Sequence, residues 1–224
     1  MTMAPTILFD LDGTLADTAL DLTATMNVVL ARHGRPEVPH HAVRDMVGGG
    51  ARKIMERGFA YSGEPAPEAL LDRLFEEFLD HYGQHLADHT RVFDGLVPAL
   101  EALEARGCRL GVVTNKVEHL SLEVLRLLGL SRFFPVVIGG DTLPVKKPDP
   151  APLLEAVARL GGDPACAVMV GDSPFDIDAA RNAGFASIAV SFGYSHVPPA
   201  EMGADMLIHH FDEFLAALDA LLGR

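Results

Sequence analysis

Residues 6–15 read Thr-Ile-Leu-Phe-Asp-Leu-Asp-Gly-Thr-Leu, and the fold is predicted outward from this stretch. Its first four residues form a short run typical of a buried strand, and Gly13 then breaks the run. Asp10 and Asp12 are two residues apart, and alternate residues at the end of a strand share a face. Two carboxylates held this close repel each other, so the pattern predicts a compensating cation or a shared proton. An Asx-type turn after the strand is the alternative interpretation of Asp-Gly taken alone.

The composition is that of a folded, acidic protein. A chain of 224 residues with 49% hydrophobic and 22% charged residues fits one large domain or a core that carries an insertion. The net charge of −13 argues against a nucleic-acid partner, and the apolar runs are shorter than the ~20 residues of a membrane helix. No charged region of a secretory signal precedes the first strand. Cys108 and Cys166 are expected to be buried, reduced thiols, which predicts a cytoplasmic location.

The segment 17–91 is predicted to contain several helices and no strand. The apolar spacing predicts one helix that begins at Asp17 or Thr18 and ends near Gly34, and three more at 40–47, 51–59 and about 67–87. Gly48, Gly49 and Gly50 interrupt this segment, because three successive glycines are costly in a helix. The glycine loop precedes a helix start, so its amides are candidates to face an anion, with a simple interhelical turn as the alternative.

From residue 92 onward, strands alternate with helices. The predicted helices are 95–106, 117–128, 151–160, 175–183 and 211–222, and the predicted strands are 109–113, 136–138, 167–170, 187–190 and 206–208. The strands are continuous apolar runs, which are typical of parallel strands covered on both faces. We therefore predict a doubly wound, mostly parallel, Rossmann-like α/β core formed by 1–16 and 92–224, with 17–91 as a small inserted helical cap domain.

Polar residues follow the predicted strands at their carboxyl ends, where ligands bind in such a sheet. Asp10 and Asp12 follow the first strand. The later strands are followed by a hydroxyl, an amide, lysines and carboxylates: Thr114, Asn115, Lys116, Lys146, Lys147, Asp149, Asp172, Ser173 and Asp176. Each of these has a structural interpretation, such as a helix cap or a turn former, when it is considered alone. Their joint recurrence at one edge favours an active site.

Four of these clusters resemble, in this order, the motifs of the haloacid dehalogenase superfamily of phosphohydrolases. They are residues 10–14 (Asp-Leu-Asp-Gly-Thr), Thr114-Asn115, Lys147-Pro148 and residues 171–176 (Gly-Asp-Ser-Pro-Phe-Asp). The helical insertion is similar to the small α-helical cap of that superfamily. Within it, the segments 43–51, 113–116, 139–142 and 192–194 are similar to bacterial phosphoglycolate phosphatases. Asp149 departs from the pattern, since many relatives have histidine there.

The resemblance implies Mg²⁺-dependent hydrolysis of a small phosphate monoester, 2-phosphoglycolate above all, through an aspartyl-phosphate. Asp10 is implied to be the nucleophile and Asp12 the general acid, which then serves as the base for water. Asp10, the backbone carbonyl of Asp12, and Asp172 are implied to be the Mg²⁺ ligands, since this ion prefers oxygen.

The remaining motif residues are implied to bind the phosphoryl group. Lys147 would contact the phosphoryl oxygens and Asp10, and Asp176 would orient Lys147. Thr114 and the amide of Asn115 would hold another phosphoryl oxygen. The implied partner is a small-molecule phosphate ester, with no nucleic acid or membrane, and the protein is expected to be a monomer or a homodimer.

Substrate specificity is expected to come from the cap. A two-carbon phosphate offers little surface, so its carboxylate must be recognised through charge and hydrogen bonds. Gly48, Gly49 and Gly50 offer amides, and Arg52, or else Arg44 or Lys53, offers a positive charge; a solvated surface cation is the alternative in each case. The alternative functions are a phosphatase for another small or sugar phosphate, such as N-acetylmuramate 6-phosphate, and a non-catalytic phosphometabolite-binding protein.

Overall fold

The computed structural model describes residues 4–223. Within that range the strands are β1 (Thr6–Phe9), β2 (Ala16–Asp17), β3 (Arg91–Val92), β4 (Arg109–Val113), β5 (Val136–Ile138), β6 (Ala167–Gly171), β7 (Ala186–Val190) and β8 (Met206–Ile208). Six of them form a parallel sheet in the order β5-β4-β1-β6-β7-β8. The predicted doubly wound α/β core is thereby confirmed.

The helices of the described chain follow the predicted order. They are α1 (Ala19–Arg32), α2 (His40–Arg44), α3 (Ala51–Tyr61), α4 (Glu68–Tyr82), α5 (Leu96–Ala105), α6 (Glu118–Leu127), α7 (Ala151–Arg159), α8 (Pro174–Ala183) and α9 (Phe214–Leu221). The helix predicted at about 67–87 ends early, because Gly83 follows Tyr82 and the chain then turns back toward Asp21. The Asp21 carboxylate accepts hydrogen bonds from the N–H groups of His89 and Thr90, at 3.0 and 2.9 Å.

The sheet is covered by helices on both faces, which explains its continuous apolar strands. Ile7 and Phe9 belong to a large buried cluster that includes side chains from α5 and α9. Leu8 points the other way, into a second cluster with side chains from α7 and α8. This alternation along β1 follows from the two-residue period of a strand. Cys108 and Cys166, which were expected to be buried, are half-buried.

The helices α1, α2, α3 and α4 pack against one another next to the sheet. The chain enters this group through β2 and leaves it through β3, and these two strands pair antiparallel, Ala16 with Val92 and Asp17 with Arg91. The sequence analysis did not predict this pair, because a two-residue strand has too few residues to show a period. In residues 4–223, none of the helices is both long enough and apolar enough to cross a membrane.

Candidate active site

The residues proposed from the sequence meet at one edge of the sheet. β5, β4, β1 and β6 are parallel neighbours, so their carboxyl ends lie side by side. The buried polar residues gathered there are Asp10, Asp12, Thr114, Asn115, Lys116, Lys147, Asp172, Ser173 and Asp176. Several acidic groups and two lysines thus share a site from which water is largely excluded.

Asp10 lies directly after β1 with its carboxylate held in one orientation. The N–H of Leu11 donates to Asp10 Oδ1 at 2.7 Å, and Lys147 Nζ lies 3.1 Å from the same oxygen. Burial raises the pKa of Asp10 to about 6; Lys147 opposes this change, and Asp176 and Asp12 add to it. Oδ2 of Asp10 accepts no hydrogen bond from any described residue. Asp10 therefore presents one engaged oxygen and one open oxygen.

Lys147 is buried, and its ammonium group contacts three oxygen atoms. Its Nζ donates to the carbonyl oxygen of Val113 at 2.6 Å and to Asp176 Oδ1 at 2.5 Å, in addition to its ion pair with Asp10. Burial alone would lower the pKa of Lys147, but Asp10 and Asp176 raise it above its usual value. Asp176 is fixed in turn by Ser173, whose N–H and hydroxyl donate to Oδ2 at 3.0 and 2.6 Å. Lys147 is thus a rigid, charged group beside Asp10.

Asp172 completes a cluster of three buried carboxylates. One ligand oxygen from each of Asp10, Asp172 and Asp176 lies within 4.8 Å of the others. Burial raises the pKa of Asp172 well above its usual value, and Asp176 and Asp10 add to this. The Tyr194 N–H donates to Asp172 Oδ2 at 2.7 Å. A Cβ on Gly13, where φ is +84°, would lie 2.2 Å from that oxygen, so the approach requires glycine.

The donor set of this cluster fits a divalent metal ion. Three carboxylates face one buried ammonium group, Lys147, so a cation would compensate the remaining negative charge. Carboxylate oxygens are the ligands that hard divalent cations prefer. The structure groups Asp176 with Asp10 and Asp172, but both oxygens of Asp176 already accept hydrogen bonds from Lys147 and Ser173.

Asp12 faces away from this cluster and is held by two donors. Lys116 Nζ lies 2.9 Å from Asp12 Oδ1, and the Thr18 hydroxyl donates to the same oxygen at 2.8 Å. Thr18 directly precedes α1, but its side chain makes no cap hydrogen bond to that helix. Lys116 also donates to the hydroxyl of Tyr82 in α4 at 2.7 Å. The sequence analysis gave Lys116 no role and placed position 82 only within the helix predicted at about 67–87, so this arrangement was missed.

Thr114 and Asn115 lie at the end of β4. The Thr114 N–H donates to the Ile138 carbonyl at 2.9 Å, and its hydroxyl oxygen accepts from the Lys116 N–H at 3.3 Å. The side-chain NH₂ of Asn115 donates to the carbonyl oxygens of Gly48 and Lys147, at 2.9 and 3.1 Å. Its Oδ1 is buried without a partner. The Asn115 side chain thus ties the glycine loop to the end of β4.

The glycine loop lies against this edge through its carbonyl groups. Gly48 O accepts from Asn115, and Gly49 O accepts from Lys146 Nζ at 2.8 Å. Gly50 has a φ of +88°, and a Cβ there would lie 2.8 Å from the Asn115 carbonyl oxygen, so only glycine permits the contact. Gly48 and Gly50 line a cavity beside Asp10 and Asp12. Carbonyl contacts, rather than the expected amide contacts, hold this loop on the core.

Arg52 lies outside that cavity wall. Its guanidinium pairs with Glu68 at 2.5 Å and with Asp72 at 3.1 Å, on the exposed side of α3 and α4. Lys53 likewise pairs with Glu56 at 2.9 Å. The structure therefore brings neither Arg52 nor Lys53 into contact with the carboxylates at the sheet edge. The Arg52 pairs join α3 to α4, so sequence spacing within one helix could not reveal them, whereas Lys53 and Glu56 are three residues apart in α3.

Arg44 and Tyr194, from two segments quoted in the sequence analysis, contact each other between cap and core. The Arg44 guanidinium lies 4.7 Å from the centre of the Tyr194 ring and donates to the Gly193 carbonyl at 3.1 Å. The Tyr194 hydroxyl accepts from the N–H groups of Thr18 and Ala19 and donates to Asp17. Since the N–H of Tyr194 also holds Asp172, this residue joins the start of α1 to the carboxylate cluster.

The cavity between cap and core is small and mostly apolar. The cavity has a volume of about 30 Å³, which is room for about two water molecules. Its wall is formed by Asp10, Asp12, Leu22, Val47, Gly48, Gly50, Ala51, Ile54, Phe78, Leu79, Tyr82, Thr114, Asn115, Lys116, Val117 and Leu120. Asp149, the departure from the motif noted in the sequence, lies at the start of α7. Its carboxylate accepts a hydrogen bond from the Ala151 N–H at 2.8 Å.

Comparison with known proteins places this geometry in a family. A family model described as haloacid dehalogenase-like hydrolase matches residues 7–190. The chain belongs to the haloacid dehalogenase-like hydrolase family. A phosphoglycolate phosphatase from Caulobacter vibrioides is 46% identical over 97% of this chain and 92% of its own length. An N-acetylmuramic acid 6-phosphate phosphatase from Pseudomonas aeruginosa is 40% identical over 96% of this chain and 95% of its own.

Solved structures agree with this assignment. The crystal structure of a predicted phosphoglycolate phosphatase from Haemophilus somnus superposes with a TM-score of 0.89 at 32% identity, covering 96% of this chain and 98% of that one. As a haloacid dehalogenase-like hydrolase with phosphatase relatives over nearly its whole length, the protein is a phosphoric monoester hydrolase. Its substrate is accordingly a small phosphate ester, and the buried carboxylates fit the divalent metal of such enzymes.

Proposed function

We propose that this hydrolase converts 2-phosphoglycolate to glycolate and phosphate, with Mg²⁺ as its metal and Asp10 as its nucleophile. The observation that carries the proposal is the separation of two carboxylates by their surroundings. Asp10 lies beside Lys147 and Asp172, whereas Asp12 is held apart by Lys116 and Thr18. One carboxylate is therefore arranged to meet phosphorus, and the other is arranged to move a proton.

In the first half of the reaction, the open Oδ2 of Asp10 attacks phosphorus and displaces the ester oxygen. A phosphorus–oxygen bond forms to Asp10 as the bond to the leaving group breaks, and Asp12 donates its proton to that leaving oxygen. Lys147 and the Thr114 hydroxyl bind the phosphoryl oxygens, and the fixed contacts of Lys147 mean that little reorganisation accompanies the reaction.

In the second half, Asp12 accepts a proton from water as the water oxygen attacks phosphorus. Phosphate leaves and the Asp10 carboxylate is regenerated, so each proton that Asp12 gives to the leaving group is recovered from water. Asp10, the backbone carbonyl of Asp12, and Asp172 would hold Mg²⁺, which when bound offsets the negative charge on the phosphoryl group. Asp176 acts through Lys147, which it fixes at 2.5 Å.

The proposed substrate is supported by the names of similar proteins. The 46% identical relative is named a phosphoglycolate phosphatase, and 2-phosphoglycolate is among the smallest phosphate esters that also carry a carboxylate. N-acetylmuramate 6-phosphate is the second candidate, because the relative from Pseudomonas aeruginosa is named for it. Asn115 and Lys146 hold the glycine loop on the core, so either substrate would enter with the cap displaced.

We further propose that 17–91 moves as a cap on the core formed by 1–16 and 92–224. The hinges would lie near 15–17 and 90–94, where the short strands β2 and β3 pair. Displacement of the cap would break the bonds from Asn115 and Lys146 to the glycine loop and open the site.

Phosphate release from a panel of esters tests the proposed function. The panel contains 2-phosphoglycolate, N-acetylmuramate 6-phosphate, simple sugar phosphates and an aryl phosphate, each assayed with Mg²⁺ and with EDTA. We expect kcat/KM to be highest for 2-phosphoglycolate and to be lost in EDTA and in Asp10→Asn. A maximum at N-acetylmuramate 6-phosphate would transfer the assignment to the second candidate, and full activity in Asp10→Asn would refute the nucleophile.

A further inference from the structure

Lys116 and Tyr82 form a buried pair beside Asp12, and the proposed hydrolysis assigns neither of them a contact with the substrate. Lys116 Nζ lies 2.9 Å from Asp12 Oδ1 and 2.7 Å from the Tyr82 hydroxyl. Their exposed fractions are 7% for Lys116 and 1% for Tyr82. Lys116 belongs to the core, directly after β4, whereas Tyr82 ends the cap helix α4. Both line the cavity between core and cap.

The pair retains hydrogen-bonding capacity toward the cavity. The Tyr82 oxygen accepts from Lys116, and its own O–H proton has no acceptor among the described residues. Burial raises the pKa of Tyr82 well above its usual value, and Asp12 and Asp21 add to this, so the hydroxyl stays a neutral donor. The Lys116 ammonium group donates to both oxygens of Asp12, at 2.9 and 3.2 Å, and to the Tyr82 hydroxyl at 2.7 Å, so it acts toward an anion through its charge. An anion in the cavity would satisfy the free hydroxyl and approach the ammonium group.

The rest of the cavity is poorly suited to an anion. Lys116 is the single cation among the described residues that form its wall. The cap contributes mainly apolar side chains, including Ile54, Phe78 and Leu79. A carboxylate buried against such a surface without a partner is strongly unfavourable. Any anionic part of a substrate would therefore be directed to Lys116.

The position of the pair matches the place of a carboxylate on a short leaving group. Asp12 is assigned to protonate the leaving oxygen, so the atoms bonded to that oxygen lie next to Asp12. In 2-phosphoglycolate one methylene separates the ester oxygen from the carboxylate. Lys116 Nζ lies 2.9 Å from Asp12 Oδ1, so it borders the space next to Asp12 that this carboxylate would occupy.

We propose that Lys116 and Tyr82 bind the carboxylate of the leaving group and so select phosphate esters of short hydroxy acids over esters of neutral alcohols. The inference rests on the proposed function, to which it adds the residues that recognise the substrate. Because Lys116 comes from the core and Tyr82 from the cap, the carboxylate site is complete only when the two are in contact. Recognition of the acid thereby favours the closed arrangement in which Asp12 is shielded from water.

Matched substrates distinguish recognition of the carboxylate from a general effect on Asp12. 2-Phosphoglycolate and 2-hydroxyethyl phosphate have similar skeletons, and only the first carries a carboxylate. We define the acid preference as the ratio of their kcat/KM values. Lys116→Met is expected to lower this ratio about 10- to 100-fold, as loss of a charged hydrogen bond would, and Tyr82→Phe about 2- to 10-fold. Lys116→Arg, which keeps the charge, should retain part of the preference.

Controls and opposing outcomes separate this proposal from the proposed function. Arg126→Met removes an exposed cation of α6 that pairs with Glu123, and it should leave the ratio unchanged. If Lys116→Met and Tyr82→Phe lowered both esters equally, the pair would only position Asp12, and the proposal would be overturned with the substrate assignment intact. A wild-type ratio near one would instead overturn the substrate assignment and this inference together. Should Lys116→Met fail to fold, Tyr82→Phe and Lys116→Arg carry the test.

Discussion

Replacing Asp10 by asparagine is expected to stabilise the metal-free protein while abolishing turnover. Asparagine has the shape of the protonated aspartic acid, and its oxygen can still accept from the Leu11 N–H. Burial raises the pKa of Asp10 from its usual 3.8 to about 6, despite the opposing charge of Lys147. That difference corresponds to about 3 kcal/mol of unfavourable free energy when the folded protein holds the ionised carboxylate.

The sign of the effect defines its pH range. Below pH 3.8, Asp10 is protonated in both the folded and the unfolded chain, so its ionisation costs no stability. As pH rises through about 6, the unfolded chain has already released the proton and the folded chain releases it at a cost. The wild type therefore loses stability over this interval, and Asp10→Asn does not. The advantage of the variant should reach about half its full value near pH 5 and be complete by about pH 7.5.

Chemical denaturation in EDTA at pH 5 and pH 7.5 measures this difference. Asp80→Asn, at an exposed position in α4, is the matched control and should follow the wild type. Mg²⁺ added at pH 7.5 should stabilise the wild type far more than Asp10→Asn, because ligand binding to the folded state raises its stability. If Asp10→Asn were less stable than the wild type at pH 7.5 in EDTA, the ionised Asp10 carboxylate would not lower the stability of the folded protein, and the reasoning would be refuted.

Two further substitutions test contacts between cap and core. Tyr194→Phe removes the hydroxyl that accepts from the first N–H groups of α1, and should lower the free energy of unfolding by about 1–2 kcal/mol. Denaturation measures it with Tyr61→Phe, at an exposed tyrosine, as the control, and equal stability of the two variants would contradict the role of Tyr194. Lys146→Met removes the hydrogen bond to Gly49 O, and should lower kcat/KM about 10-fold for every ester, with Arg126→Met unaffected. A loss confined to one ester would show that Lys146 recognises a substrate group instead of the cap loop.

The core was predictable because its signals are local. The bounds predicted for β1, β4, β5 and β8 agree with the structure, since each is an apolar run ended by polar or glycine residues. The order of strands and helices along the chain then predicts a parallel sheet, and the polar residues after those strands meet at one edge. The resemblance of four motifs to a phosphohydrolase superfamily leads to the same family that the comparisons establish.

The sequence analysis did not reveal contacts between distant segments, and its assignments of Arg52 and the glycine loop to the substrate remain predictions. Arg52 was proposed for the substrate because it follows the glycine loop, but Glu68 and Asp72 from the next helix neutralise it. The glycine loop was expected to offer amides, and it contacts Asn115 and Lys146 through carbonyl oxygens instead. In each case the decisive partner lies on another element, where spacing along one helix or loop carries no information.

The sequence by itself determined the order of the elements and the chemical groups that gather at the sheet edge. Strand composition and the residues that end each strand are properties of short segments, so they can be read directly. Only the tertiary structure decided which of those groups touch. Lys116 pairs with Asp12, 104 residues away, and with Tyr82, 34 residues away. Such pairs form because burial leaves each charged group dependent on whichever partner the fold brings near, and that depends on the packing of the whole chain.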